Sequence, residues 1–434
     1  MAQQAIYFGR FVDTPKLDDI RIRTGALLVS CQDRRGVISK ADWTVTSPSE
    51  AASRLGVEVP VITSKENGFF FPGFIDTHIH ASQYPNAGIF GKSTLLDWLT
   101  TYTFPLESSL GNAASPLYAN STTPVDPLSR AKAVYNRVVS ATLAHGTTTA
   151  SYYATISVPA TNTLSKTAFE KGQRAYVGRL LAPIVTPRFA PSCLASTLTA
   201  LGQLAKEKDL RIQTHLAENV DEMKLVKELF PEQASYTEVY DTHQLLTPKT
   251  ILAHSIHLDA SEIQTIKVRQ SKISHCPASN SALGSGFCPV RVYLDSGLDV
   301  GLGTDVSGGY SPSILEAVRQ ACLVSRHVGY IHGGDSRHSL SVNDALYLGT
   351  VGGAKVVGME GKLGAFEEGM LWDVQEIDLG DLNDEGEQLG DSGVDIFGWE
   401  SWENKVAKWV WGGDDRNVKR VWVSGKLVHE RNQA

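Results

Sequence analysis

Residues 70–80 read FFPGFIDTHIH, an apolar run that closes on two histidines two positions apart. Alternate side chains of a β-strand share a face, so at the end of such a strand His78 and His80 point the same way and can meet one ion. The same texture, a short apolar run ending in polar residues, recurs at GTTTASYYA (146–154), PIVTPRF (183–189), LRIQTHLAEN (210–219), TILAHSIHL (250–258), KISHCPAS (272–279) and LDVGLGTD (298–305). Helical patterns lie between these runs, among them 131–145, closed by Gly146, and 196–208. Ser341 followed by Asp344 makes a capping box ahead of a further helix. Strand and helix in alternation predict an α/β fold with a parallel sheet, here a TIM-like (β/α)8 barrel over residues 69–359.

Both ends of the chain read differently. Residues 1–68 alternate apolar and polar positions, and the texture returns over 360–434, where Ser424-Gly425 reads as a hairpin turn. The two pieces are expected to form one small β-sandwich domain.

Composition narrows the function. The 434 residues are 42% hydrophobic and 20% charged, an ordinary globular mixture, and 40 basic against 47 acidic side chains leave a net charge of −7. Nucleic acids and anionic membranes call for clustered Lys and Arg, and neither partner is expected. No apolar run approaches the ~18 residues that span a bilayer, and the first residues lack a signal peptide's apolar stretch, so a cytoplasmic protein is expected. The five cysteines are scattered without a C-x-x-C pair, which argues against a disulfide framework or a cysteine zinc site.

The chemistry gathers at the strand ends. His215 ends LRIQTH, His254 ends TILAH and Asp305 ends LDVGLGTD. In a (β/α)8 barrel these ends face the active site. Imidazoles with one carboxylate suit zinc or iron(II), and an open coordination position holds a water whose pKa the metal lowers. A single strand-end histidine is more often a polar cap; five such residues on successive strand ends make a metal site the stronger reading. Glu218, just beyond His215, is placed to shuttle a proton, although an acid there can also serve a helix N-terminus.

PGFIDTHIHASQY (72–84), HLAEN (215–219), LAH (252–254), SHCPASN (274–280) and GLGTD (301–305) together resemble the amidohydrolase superfamily in its nucleobase deaminase branch. WLTTYTFP (98–105), PIVTPRF, SGF (285–287) and GTDVSGGYSPSILEAVRQ (303–320) are similar to the guanine deaminase family within it. The resemblance implies a guanine aminohydrolase, a hydrolase of C–N bonds in cyclic amidines, working as a homodimer with one Zn2+ per chain, Fe2+ being the alternative. It implies that His78, His80, His215, His254 and Asp305 hold the metal, with His254 also facing the activated water. Glu218, Asp305 and His254 are then catalytic. Gln83, Arg188, Phe189, Glu218 and Trp98 contact the purine, Arg188 as a donor fork and Phe189 by stacking. From the residues alone, Gln83 also reads as a loop residue, Arg188 as a surface cation and Trp98 as a buried helix aromatic.

One departure stands against the resemblance. Only seven strands are well punctuated, and the family carries a polar loop and a helix between segments matching GQRAYVG and PIVTPRF. Here residues 172–189 run GQRAYVGRLLAPIVTPRF without interruption. A parallel crossover needs a dozen or more residues. Either two strands are fused or a βα unit has been lost near residues 179–183. The alternative function is then a weak or inactive homologue that binds or assembles, and a further one is deamination of another aminopurine, a pterin or a triazine.

Overall fold

The computed structural model describes residues 4–33, 35–118, 126–177 and 183–431. Eight strands drawn from both chain ends form one sheet: Ala5–Lys16, Asp19–Gln32, Arg35–Asp42, Val61–Thr63 and Gly68–Pro72 join Val374–Asp378, Val418–Val423 and Lys426–Glu430. The strands pair in one continuous order, and the sheet curls over an aromatic core. The Tyr7 ring lies 4.1 Å from Trp372 and 5.4 Å from Trp422, although Trp422 stands three strands away along the sheet, roughly 14 Å if the sheet were flat. Its last hairpin turns at Ser424 (φ 49°) and Gly425 (φ 76°), the two left-handed residues that a tight hairpin of this kind requires.

Only Gly73 separates this sheet from the second unit. Phe74–His80 pairs in parallel with Thr147–Tyr153, which pairs with Arg174–Tyr176. A second parallel sheet runs in chain order through Ile184–Val185, Arg211–Leu216, Thr250–His254, Lys272–His275 and Val300–Leu302. The first of these eight strands lies beside the last: Asp305 N donates to His78 O at 2.8 Å, His80 N to Val306 O at 3.0 Å, and Thr77 Oγ1 to Leu302 O at 2.8 Å. Helices Pro127–Ala144, Ala195–Glu207 and Ile314–Ile331 occur between or after strands, and Ser341 caps Val342–Tyr347 with Asp344 in a capping box. None of the described helices is long and apolar enough to cross a membrane.

The strand count of seven is corrected to eight. The additional strand is Arg174–Tyr176, three residues that show no alternation a sequence could reveal. It is not fused with Ile184–Val185, because the two belong to different sheets. What is short is the link between them, the seven residues 177–183; of these, 178–182, and with them most of the apparent deletion, lie outside the described residues. Among the described residues no backbone pairing joins these two strands. The buried side chain of Gln213 spans the neighbourhood instead. Its Nε2 donates to Tyr152 O (3.1 Å) and Thr186 Oγ1 (3.0 Å), and its Oε1 accepts from Ser151 Oγ (2.7 Å).

Candidate active site

The strand ends converge. One ligand atom each from His78, His215, His254 and Asp305 lies within 4.8 Å of the others, and all four residues are buried. His78 Nε2 is 3.1 Å and His80 Nε2 3.4 Å from Asp305 Oδ1, and His254 Nε2 is 3.7 Å from Asp305 Oδ2. His80 Nε2 is also 3.2 Å from His215 Nε2. Tight approach of the two chain segments is built in at Gly303, where a Cβ would stand 2.7 Å from that of His78.

The outer ring nitrogens fix how two imidazoles face. His215 Nδ1 donates to Arg188 O at 2.6 Å and His254 Nδ1 to Asn280 Oδ1 at 2.8 Å, so each turns an Nε2 lone pair inward, the arrangement metal-bound histidines adopt. His254 Nε2 and both nitrogens of His78 are buried without a hydrogen-bond partner. A cluster of orphaned imidazole nitrogens around a carboxylate fits a divalent cation, because buried polar atoms otherwise find partners. Burial holds His78, His80 and His215 below the usual histidine pKa, in the neutral form a ligand needs. Burial pushes the Asp305 carboxyl up, but the imidazoles of His78, His254 and His215 outweigh it and hold Asp305 ionised. His254 and Asp305 both sit at positive φ, 65° and 46°, strained backbone of the kind found where side-chain aim is fixed by function.

Glu218 is buried beside this cluster, its Oε2 3.4 Å from His254 Nε2 and its Oε1 accepting from Ser285 Oγ at 3.3 Å. Burial raises its pKa to about 7. Glu222 steadies the loop: Oε2 accepts from the backbone N–H of Glu218 (3.0 Å) and Asn219 (3.3 Å), while Oε1 accepts from Tyr236 Oη (2.9 Å).

A single cavity is lined by Glu218, Asp305, His80 and His215 together with Gln83, Arg188, Phe189 and Trp98. The predicted site residues thus line one cavity, except His78 and His254, which are buried in the cluster without lining it. Trp98 is both things its sequence suggested, a buried aromatic whose Nε1 donates to Ile89 O (2.9 Å) and a lining residue. Three residues escaped the sequence reading as site members. Asn280 lies within the quoted SHCPASN motif, Glu222 stands in the first turn of the helix Val220–Leu229, where an acid is ordinary, and Glu107 has no local signature. Glu107 accepts from Gln83 Nε2 at 2.9 Å and from Arg188 Nη1 at 2.6 Å.

Comparison with known proteins bears on this geometry. The sequence model of the Amidohydrolase family matches residues 69–183 and 178–428, two segments that meet at the short link. The probable guanine deaminase of Schizosaccharomyces pombe is 42% identical, over 98% of this chain and 83% of its own length. That match runs over 462 positions against 434 residues, so at least 28 positions of the alignment have no counterpart in this chain. The guanine deaminase of Homo sapiens is 38% identical over 83% of each chain. A crystal structure of guanine deaminase from C. acetobutylicum with guanine bound in its active site superposes with a TM-score of 0.83 at 29% identity, covering 98% of this chain and all of that one. On the family match and these relatives, the chain belongs to the amidohydrolase family.

Proposed function

We propose that this protein hydrolyses guanine to xanthine and ammonia. The observation that carries the reading is the shared cavity: Gln83, Arg188 and Phe189 line the same space as Glu218 and Asp305, so a purine's hydrogen-bonding edge and flat face are met within reach of the acid and base. The likeness to guanine deaminases over nearly the whole chain supports it.

His78, His80, His215, His254 and Asp305 would hold one divalent cation, zinc in the first instance, which when bound acidifies water at neutral pH. Asp305, ionised, accepts a proton from the attacking water. Glu218 begins protonated, as its raised pKa allows, and delivers its proton to N3 of the purine as the water oxygen bonds to C2. Collapse of the tetrahedral C2 returns the hydroxyl proton to Glu218, while Asp305 gives its proton to the amino group, which leaves as ammonia. Phe189 stacks on the ring, Arg188 and Gln83 hold its polar edge, and Trp98 closes the cavity against solvent.

The eight parallel strands form a (β/α) barrel with one truncated crossover, the terminal sheet forms a second unit, and the boundary falls at Gly73. A homodimer is the expectation the family likeness carries. What speaks against an inactive binding protein is that His78, His215, His254 and Asp305 offer ligand atoms within 4.8 Å of one another and that Glu218 Oε2 lies 3.4 Å from His254 Nε2. The test is direct: purified, metal-loaded protein given guanine is expected to yield xanthine and ammonia in equal amounts, whereas metal-replete protein that leaves guanine unchanged overturns the reading.

A further inference from the structure

Glu107 stands on the short helix Phe104–Ser109, beside the metal cluster, its Oε1 4.0 Å from His80 Nδ1, and is largely buried. Its two carboxylate oxygens are divided among three side chains. Oε1 accepts from Gln83 Nε2 (2.9 Å) and more distantly from Ser82 Oγ (3.3 Å); Oε2 accepts from Arg188 Nη1 (2.6 Å). No other carboxylate bonds to the side chain of either Gln83 or Arg188 among the described residues.

The consequence is chemical polarity. A primary amide can turn over and exchange its oxygen for its nitrogen at almost no cost, so a lone glutamine in a binding site recognises a donor or an acceptor equally well. A carboxylate only accepts. Paired with Glu107, Gln83 must direct its nitrogen to Glu107, which leaves Oε1 as its free acceptor in the cavity it lines. Arg188 uses one N–H on Glu107 and keeps its other donors for the same cavity. The site thus offers an acceptor beside a donor fork. That pattern matches a ring N–H adjacent to a carbonyl, the lactam edge of a 6-oxopurine. It opposes the edge of a 6-aminopurine, where a ring nitrogen accepts and the exocyclic amine donates.

Resting on the guanine reading above, we infer that Glu107 is a positioning residue that fixes the donor–acceptor sense of the purine site and so selects 2-amino-6-oxopurines over 2,6-diaminopurines. Both kinds of substrate carry the 2-amino group that leaves, and they differ only at the edge Glu107 controls. A site that loses a buried hydrogen-bonding sense loses discrimination by roughly tenfold to hundredfold.

The experiment compares guanine with 2,6-diaminopurine, by kcat and KM, in the native protein and two variants. The native protein is expected to prefer guanine. Glu107→Gln keeps the shape, but Arg188 draws the oxygen of the new amide and leaves its nitrogen facing Gln83, whose own amide then turns its nitrogen to the ring; the KM for guanine rises roughly tenfold or more, kcat changes less, metal content is unchanged, and the preference shrinks to parity or reverses. Adding Gln83→Glu to that variant exchanges carboxylate and amide, preserves net charge, and restores an obligatory acceptor toward the ring, so the guanine preference recovers. A packing role for Glu107 would not be rescued by that exchange. An unchanged preference in Glu107→Gln, or no recovery in the double variant, overturns the inference while leaving guanine turnover by the native protein intact. Where the single variant fails to fold, the double variant decides alone, by whether it prefers guanine. Native protein inactive on both purines would instead sink the functional reading itself.

Discussion

The backbone oxygen of Arg188 accepts both the backbone N–H of His215, at 3.1 Å, and its Nδ1–H, at 2.6 Å. One residue thereby orients a proposed metal ligand with its main chain while its side chain, 2.6 Å from Glu107, lines the proposed substrate cavity. The metal cluster and the substrate site are mechanically joined, yet a side-chain substitution can separate them.

Arg188→Ala should therefore leave metal content at the native level and raise the KM for guanine by roughly tenfold to hundredfold, with a smaller change in kcat. Elemental analysis alongside steady-state kinetics checks this. Loss of metal from the variant would mean that the Arg188 side chain, and not its carbonyl, orients His215.

Asn280 is the acceptor that fixes His254. Replacing such an outer partner of a ligand costs about 10- to 100-fold in metal affinity or activity, and Asn280→Ala should show that loss in a chelator competition titration. Asn280→Asp, which keeps an acceptor at the position, should lose less.

Prolonged chelation should abolish turnover, and added zinc should restore it, since burial holds His78, His80 and His215 below the usual histidine pKa, in the neutral form that takes the ion back. Turnover that survives complete removal of metal, verified by elemental analysis, would rule out the cluster as the reaction centre.

Trp409 ties the two units together. It is fully buried, with its ring 5.3 Å from Phe69 and 5.0 Å from Phe71 on the terminal sheet, and stacked 6.1 Å from Phe74 on the first parallel strand. Trp409→Ala should cost about 3–5 kcal/mol, seen as a lower denaturation midpoint, while the protein that remains folded keeps its metal.

Much of this arrangement can be read from the chain because strand-end histidines follow short apolar runs, and each run ends where the polypeptide must turn. His78, His80, His215, His254 and Asp305 are legible for that reason. The third parallel strand is not, because three residues carry no period and Arg174–Tyr176 owes its place to neighbours. Nor is Glu107 legible: its meaning lies in contacts 24 and 81 positions distant, to Gln83 and Arg188, and a glutamate on a short helix looks the same whether it bridges two ligand-binding side chains or faces water. The left-handed backbone at His254 and Asp305 also leaves no mark in sequence, since neither position is glycine. The missing crossover is the converse case. Its shortness was plain from residue count, but only the fold shows that a strand stands on each side of it and that the cluster assembles regardless.

The central claim is that Glu218 moves the proton over an intact metal centre, and Glu218→Gln tests it most directly, since the amide keeps the volume and the Ser285 contact but has no proton to give. The account predicts native metal content, measurable binding of guanine, and kcat lower by about 10²–10⁴-fold or more. Near-native kcat in that variant would contradict it.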